Sequence, residues 1–411
     1  MAKLFVEDLD LKGKKVISRV DFNVPIKDGK VDNDKRIRAS LPTINYILEQ
    51  GASLILMSHL GRPDGQVKPE FSLKPAADRL GELLGKEVKF VTDCVGADVE
   101  AAAAALQPGE VLVLENLRFH IEETGKGVDA DGNKIKADDA KVAEFSAALT
   151  KLADVYVNDA FGTAHRAHSS MVGVALPRAC GYLLKKEIDF LGDALAAPEK
   201  PFVAVIGGAK ISGKIDVIEA LLPKVDKLII GGAMANTFFK AQGKEVGKSL
   251  VEDERIEMAK DLLTKGGDKI QLPVDCGVVS EMDFGARTCS EVTYVDADAV
   301  PADQMIIDAG PKSVEVFSRL VKGAKTVVWN GPMGVFEIAD SAKGTFGVAE
   351  ALADATANNG AVTIIGGGDS VSAIEKANLS EKVSHVSTGG GASLEYLEGK
   401  ELPGVVALSD K

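Results

Sequence analysis

The chain is poor in the residues that build disulfide scaffolds, membrane spans and aromatic binding platforms. Its 411 residues include four cysteines, Cys94, Cys180, Cys276 and Cys289, which are widely separated and form no C-x-x-C pair. Neither a disulfide framework nor a zinc site is expected from that spacing, and a reducing compartment fits it. There is one Trp, and aromatic residues make up only 5% of the chain. No uninterrupted apolar stretch is long enough to cross a bilayer. The opening "MAKLFVEDLD" is acidic and has no apolar core of a signal peptide, so a cytoplasmic protein is expected. Positive charge is also in deficit: the formal net charge is −13, which argues against nucleic acid and anionic membranes as partners. No G-x-G-x-x-G occurs, which counts against a nicotinamide-dependent dehydrogenase.

What is abundant is glycine, at 42 residues, within a chain whose length suggests two or three domains. Short apolar runs recur, each followed by Gly or polar residues and then a helical pattern. The first half has "KKVISRVDFNVP", "SLILMSHLGRP", "EVLVLENLRF" and "DVYVNDAFGTAHR". The second has "PFVAVIGGAK", "KLIIGGAMA", "KTVVWNGPMG" and "AVTIIGGGDS". Runs that do not alternate with polar residues suit parallel strands covered on both faces. The expected fold is α/β, with two Rossmann-like domains, each a mainly parallel sheet flanked by helices. The stretch Leu183 to Phe202 reads as a helix ending in a Pro-flanked charged turn, a natural hinge. It places boundaries at 1–183 and 184–392, with the tail 393–411 docking back on the first half. Thr124 to Lys141 reads as a polar surface insertion, and Ala101 to Ala105 as helix filler.

In such sheets ligands bind beyond the carboxyl ends of the strands, and there the halves differ. The first half offers Asp21 and Asn23, His59 and Arg62, Arg118, then His165, Arg166 and His168, with Arg36 in the helical segment after the first strand. Converging guanidiniums make an anion site, because Arg matches carboxylate and phosphate in a bidentate way. The second half offers glycines, which let a ligand approach the backbone at helix N-termini. One segment, Gly208 to Lys214, fits the phosphate-loop pattern G-x-x-x-x-G-K, but Ile215 occupies the place of the metal-binding hydroxyl. A second, Gly243 to Ser249, keeps Lys-Ser but spaces its glycines too closely.

The ordered motifs "RVDFNVP", "SHLGRP", "VLENLRFH", "VNDAFGTAHRAHSSMVG", "IGGAK", "VVWNGPMGVFE", "IIGGGDS" and "VSHVSTGGGASLE" resemble those of the phosphoglycerate kinase family, and they span residues 19 to 395. The resemblance implies reversible phosphoryl transfer between 1,3-bisphosphoglycerate and ADP, giving 3-phosphoglycerate and ATP, in a monomer whose halves close on their ligands. It implies that Asp21, Asn23, Arg36, His59, Arg62, Arg118 and Arg166 bind the phosphoglycerate. The nucleotide falls to Lys210, Lys214, Gly231, Gly232, Asn330, Glu337 near the ribose, Gly366, Gly367, Gly368, Asp369 and Ser370. Mg²⁺ falls to Asp369. The transferring group falls to Arg36 and Lys214, with Gly367 and Gly390 among the glycines that offer backbone N–H groups. On this reading Lys210 and Lys214 share one face of a helical first turn and Ile215 faces the core.

The same residues have plainer readings. His165 and His168 suggest a metal pair, but no third ligand accompanies them, so an anion-binding or structural role is expected. His120 and His385 read as packing or surface residues, and Tyr182 and Trp329 as packing residues. Asp369 taken alone could be a helix cap, and Glu337 a surface carboxylate. A non-catalytic nucleotide-binding protein of this fold would be expected to lose its charged site residues, and here each matched position keeps the expected type.

Overall fold

The computed structural model describes residues 3–411 and divides them into two compact units. Unit 1 comprises Met1–Ile188 and Glu401–Lys411, and unit 2 comprises Asp189–Lys400. The helix Tyr182–Ala196 carries the chain across the first division. The divisions therefore fall five residues later than expected at the first boundary and eight later at the second. At the second, the helix Gly391–Leu397 packs on the helix Ile215–Leu221 within unit 2, so the returning tail begins only at Glu401.

Unit 1 is built on six strands: β1 (Lys15–Arg19), β2 (Ser53–Met57), β3 (Lys89–Phe90), β4 (Val111–Val113), β5 (Val155–Asn158) and β6 (Arg178–Cys180). Their order is β6-β5-β1-β2-β4-β3, and every pairing is parallel. All five residues of β2 are buried, which is why that run shows no alternation. Ile37, Ile44, Leu54, Leu56 and Leu80 pack in one core cluster, and Ile17, Ile55, Leu112 and Tyr156 in another. The returning tail is tied down by backbone: the Leu4 N–H donates to the Ser409 carbonyl at 2.8 Å and the Gly404 N–H to that of Ala164 at 2.8 Å.

Unit 2 repeats the plan with β7 (Phe202–Ile206), β8 (Lys227–Ile230), β9 (Ile270–Gln271), β10 (Thr326–Asn330), β11 (Val362–Gly366) and β12 (His385–Val386). The order is β9-β8-β7-β10-β11-β12, again wholly parallel. Pro311 opens the helix Pro311–Lys322, where a missing N–H is harmless. An addition that the sequence reading missed is an antiparallel sheet in which Asp275–Val279 lies between Thr293–Asp296 and Met305–Ala309. It matters because Ile306 to Ala309 help to line the cavity described below.

The polar insertion at 124–141 contains an antiparallel hairpin of Lys126–Val128 and Lys134–Lys136. The alanine run lies in the helix Ala97–Ala105. Among the described residues no helix is long and apolar enough to cross a membrane.

Candidate active site

In unit 1 the loops after β1, β2 and β4 are laced together by side chains. Arg36, in the first turn of the helix Lys35–Glu49, reaches back to the loop after β1. Its Nη1 lies 3.1 Å from Asp21 Oδ2 and donates to the Asn23 carbonyl at 3.0 Å. Asn23 Oδ1 accepts the Gly61 N–H at 2.9 Å, and the Gly61 carbonyl accepts Arg118 Nη1 at 2.8 Å. Asp21, Asn23, Arg36 and Arg118 thus form one connected group. Burial and the neighbouring Arg19 lower Arg118 to about 10, and its Nε is buried without a hydrogen-bond partner. A buried, unpaired guanidinium N–H is costly unless an acceptor is supplied.

His59 is buried beside this group, with Nδ1 3.1 Å from Arg19 Nη2. A guanidinium can only donate, so Nδ1 must accept and the ring proton sits on Nε2. Burial first, then Arg19, Arg118, His168 and Arg36, hold His59 well below the usual histidine range. His168 is pushed down to about 3, by burial and then by Arg118, Arg19 and Arg166. Both imidazoles are therefore neutral donors or acceptors in a strongly positive setting.

Arg62 and Arg166 are exposed. Arg62 acts on Arg118, and Arg166 on His168. All seven residues expected to bind the substrate in unit 1 thus belong to one electrostatic neighbourhood.

Three members were missed. Arg19 is fully buried at the end of β1, where its Nε donates to Ser170 Oγ at 2.9 Å. Glu123 is buried 4.0 Å from Arg19 and accepts the Ser170 hydroxyl at 2.7 Å. Burial raises the Glu123 carboxyl, against the pull of Arg19. Ser170 joins the two. A charged residue inside the apolar run "KVISRV" was the available signal for Arg19; Glu123 stood in a polar stretch and gave none.

In unit 2 the glycines after β7, β8 and β10 bring backbones into contact. Gly232 has φ +68°, and a Cβ there would lie 2.6 Å from the Gly208 nitrogen. Only glycine fits such an approach. These turns border a cavity of about 280 Å³ whose lining includes Gly208, Gly232, Asp308, Met333, Glu337 and Asp369.

Lys214 Nζ donates to Asn330 Oδ1 at the end of β10, and the Asn330 Nδ2 is buried without a partner. Burial lowers Lys214, while Asp369 and Glu398 pull it back up. Gly367 precedes the helix Gly368–Lys376 with φ +87°, its Cβ position 3.2 Å from the Asn330 amide. Gly366 ends β11, and Asp369 is exposed in the first turn of the helix. Ser370 is buried and its Oγ accepts the Gly331 N–H at 2.5 Å, which fixes the turn beneath Asn330. Gly231 packs against Met333, and Gly390 precedes the helix Gly391–Leu397.

The expected helical turn for Lys210 and Lys214 is corrected. Lys210 is extended (φ −130°, ψ 130°), a 3₁₀ turn covers Ile211–Gly213, and the helix starts only at Ile215. With Lys210 extended and a 3₁₀ turn intervening, the two lysines do not share a helical turn. Lys210 is exposed and acts on Glu252, Lys214 is mostly buried against Asn330, and Ile211 rather than Ile215 is fully buried.

Known proteins match the chain over nearly its whole length. The model of the phosphoglycerate kinase family matches residues 6–400. Curated phosphoglycerate kinases of Moorella thermoacetica and Gallus gallus are 56% and 55% identical to the chain. The first alignment covers all of both proteins; the second covers 99% of this chain and 98% of the relative. Among solved structures, phosphoglycerate kinase from Coxiella burnetii superposes with a TM-score of 0.84 at 42% identity, covering 98% of each chain. That from Pyrococcus horikoshii superposes at 0.82 and 34%, with the same coverage. With the match running almost end to end in both sequence and fold, this chain belongs to the phosphoglycerate kinase family.

Proposed function

We propose that the chain reversibly transfers a phosphoryl group between 1,3-bisphosphoglycerate and ADP, with the phosphoglycerate held by unit 1 and the nucleotide by unit 2. The observation that carries this division is the linked Asp21–Arg36–Asn23–Arg118 group, whose Arg118 Nε is buried and lacks an acceptor. An anionic ligand supplies that acceptor. Arg36, Arg62 and Arg166 add charge, and His59 adds a neutral N–H.

On the nucleotide side, Lys214 and the N–H groups around Gly366 to Gly368 and Gly390 receive phosphate oxygens. Lys210 adds charge at the rim, Gly231 and Gly232 admit the ligand closely, and Glu337 meets the ribose. The exposed Asp369 carboxylate is a hard oxygen donor at the cavity, beside Lys214, and suits Mg²⁺. Bound there, Mg²⁺ would neutralise charge on the nucleotide phosphates.

In the ATP-consuming direction the attacking group is the substrate carboxylate, ionised at neutral pH. The protein then needs no general base. Arg36 from one side and Lys214 from the other stabilise the charge on the group in transit. Donor and acceptor oxygens must come into line, and we assign that movement to the helix Tyr182–Ala196 that links the units. A monomer working in the cytoplasm completes the proposal.

Its test is a coupled measurement of ATP formed from 1,3-bisphosphoglycerate and ADP. Turnover with both substrates and none with either alone is expected. Nucleotide binding without turnover would leave a binding protein in its place.

A further inference from the structure

Unit 1 holds a second cluster of ligating side chains, on the loop after β3 and the turn after β4. His120 Nε2 lies 2.7 Å from Asp93 Oδ1, and the Cys94 thiol is fully buried beside them. One ligand atom from each of Asp93, Cys94 and His120 lies within 4.8 Å of the others. His120 and the next residue of its cluster are far apart in sequence, which is why the cysteine spacing gave no hint of it.

We propose that Asp93, Cys94 and His120 form a binding site for a single borderline-soft divalent cation of the zinc or cobalt type, distinct from the nucleotide-associated metal. One thiolate, one imidazole and one carboxylate are the donor set such ions take, and water fills a fourth position. Tetrahedral bonds of about 2.0–2.3 Å place ligand atoms roughly 3.5 Å apart, so closure of the cluster needs movement of about 1 Å. The Asp93 carboxylate, whose Oδ1 accepts the Cys94 N–H at 2.6 Å, must turn to make that movement, and its 52% exposure leaves the site open to solvent. The His120 ring packs beside that of Phe145, with centroids 5.3 Å apart.

The local charge favours a cation. Burial raises the Cys94 thiol well above its usual range, and Asp93, Glu123 and Glu115 raise it further. The same carboxylates attract a divalent ion, whose binding would expel the thiol proton, while the neutral His120 imidazole would carry its ring proton on the nitrogen that does not bind. The alternative is a plain His120–Asp93 hydrogen bond over an inert buried thiol.

The test is a cobalt(II) titration of the full chain, stripped of metal by a chelator and free of nucleotide. The expected result is a thiolate-to-cobalt charge-transfer band in the near ultraviolet that saturates at one equivalent. Zinc should displace it and magnesium should not. Cys94→Ser should lose the band. If that variant does not fold, His120→Gln, at a half-exposed ring, should weaken cobalt binding about tenfold or more while its circular dichroism stays native. Absence of the band, its persistence in Cys94→Ser, or unchanged affinity in His120→Gln would overturn the proposal.

Discussion

Arg36 Nη1 stands 3.1 Å from the buried Asp21 carboxylate while its side chain remains 38% exposed. The carboxylate and the Asn23 carbonyl both engage Nη1, and under the proposed function the remaining N–H groups of the guanidinium meet the ligand. Replacing Arg36 with Ala removes a preorganised donor and should lower kcat by about 10²–10³-fold, with little change in nucleotide KM. Steady-state kinetics decides it: a variant keeping more than half of the wild-type kcat would take Arg36 out of the mechanism.

Arg118 should act on one ligand only. Calorimetry on Arg118→Gln should show 3-phosphoglycerate binding weakened about tenfold or more, because the charge-assisted contact is lost, and ADP binding unchanged. Equal weakening of both ligands would contradict the assignment of Arg118 to the phosphoglycerate.

Arg118, like Asp21 and His59, could be picked out of the sequence as a candidate for a physical reason. In parallel sheets the functional side chains follow strand ends, so "RVDFNVP", "SHLGRP" and "ENLRF" announced Asp21, His59 and Arg118 before any contact was known. The glycine turns of unit 2 were legible by the same rule. Arg19 and Glu123 were not, because a buried ion pair depends on partners more than a hundred residues apart along the chain. The conformation at Lys210 was misread because residue spacing suggests a helix without fixing where it starts. The antiparallel sheet around Asp275–Val279 was missed for a related reason: pairing partners lie in the register, and the apolar runs do not specify it.

The pH–rate profile follows from the histidines. His59 and His168 both titrate below the usual value of 6.5, so both stay neutral as pH rises from about 6.5 to about 8.5. Saturating kcat should be flat across that range in the wild type, in His59→Gln and in His168→Gln. The second ionisation of a substrate phosphate, near pH 6, is confined to the acid side. A limb near pH 7 that vanishes in either variant would mean that a histidine transfers a proton.

Stability should carry the signature of Asp159. Its carboxyl is fully buried and is pushed up to about 7, although Leu183 and Leu184 donate backbone N–H groups to it. Between about pH 4 and pH 7 the folded state keeps a proton that the unfolded state releases, so this contribution falls as pH rises. The depressed histidines act in the opposite sense, which makes the difference from Asp159→Asn the quantity to follow. Urea midpoints should show wild type losing ground to the variant as pH rises across that window. A difference independent of pH would refute the assignment.

The central claim is that the phosphoryl group passes directly between substrate carboxylate and nucleotide, with the protein contributing charge and no covalent partner. The most direct measurement uses ATP made chiral at the γ-phosphorus, with the configuration read in the product acyl phosphate. A single in-line displacement predicts inversion. Retention would require two displacements, and with them a phosphorylated residue that this account does not contain.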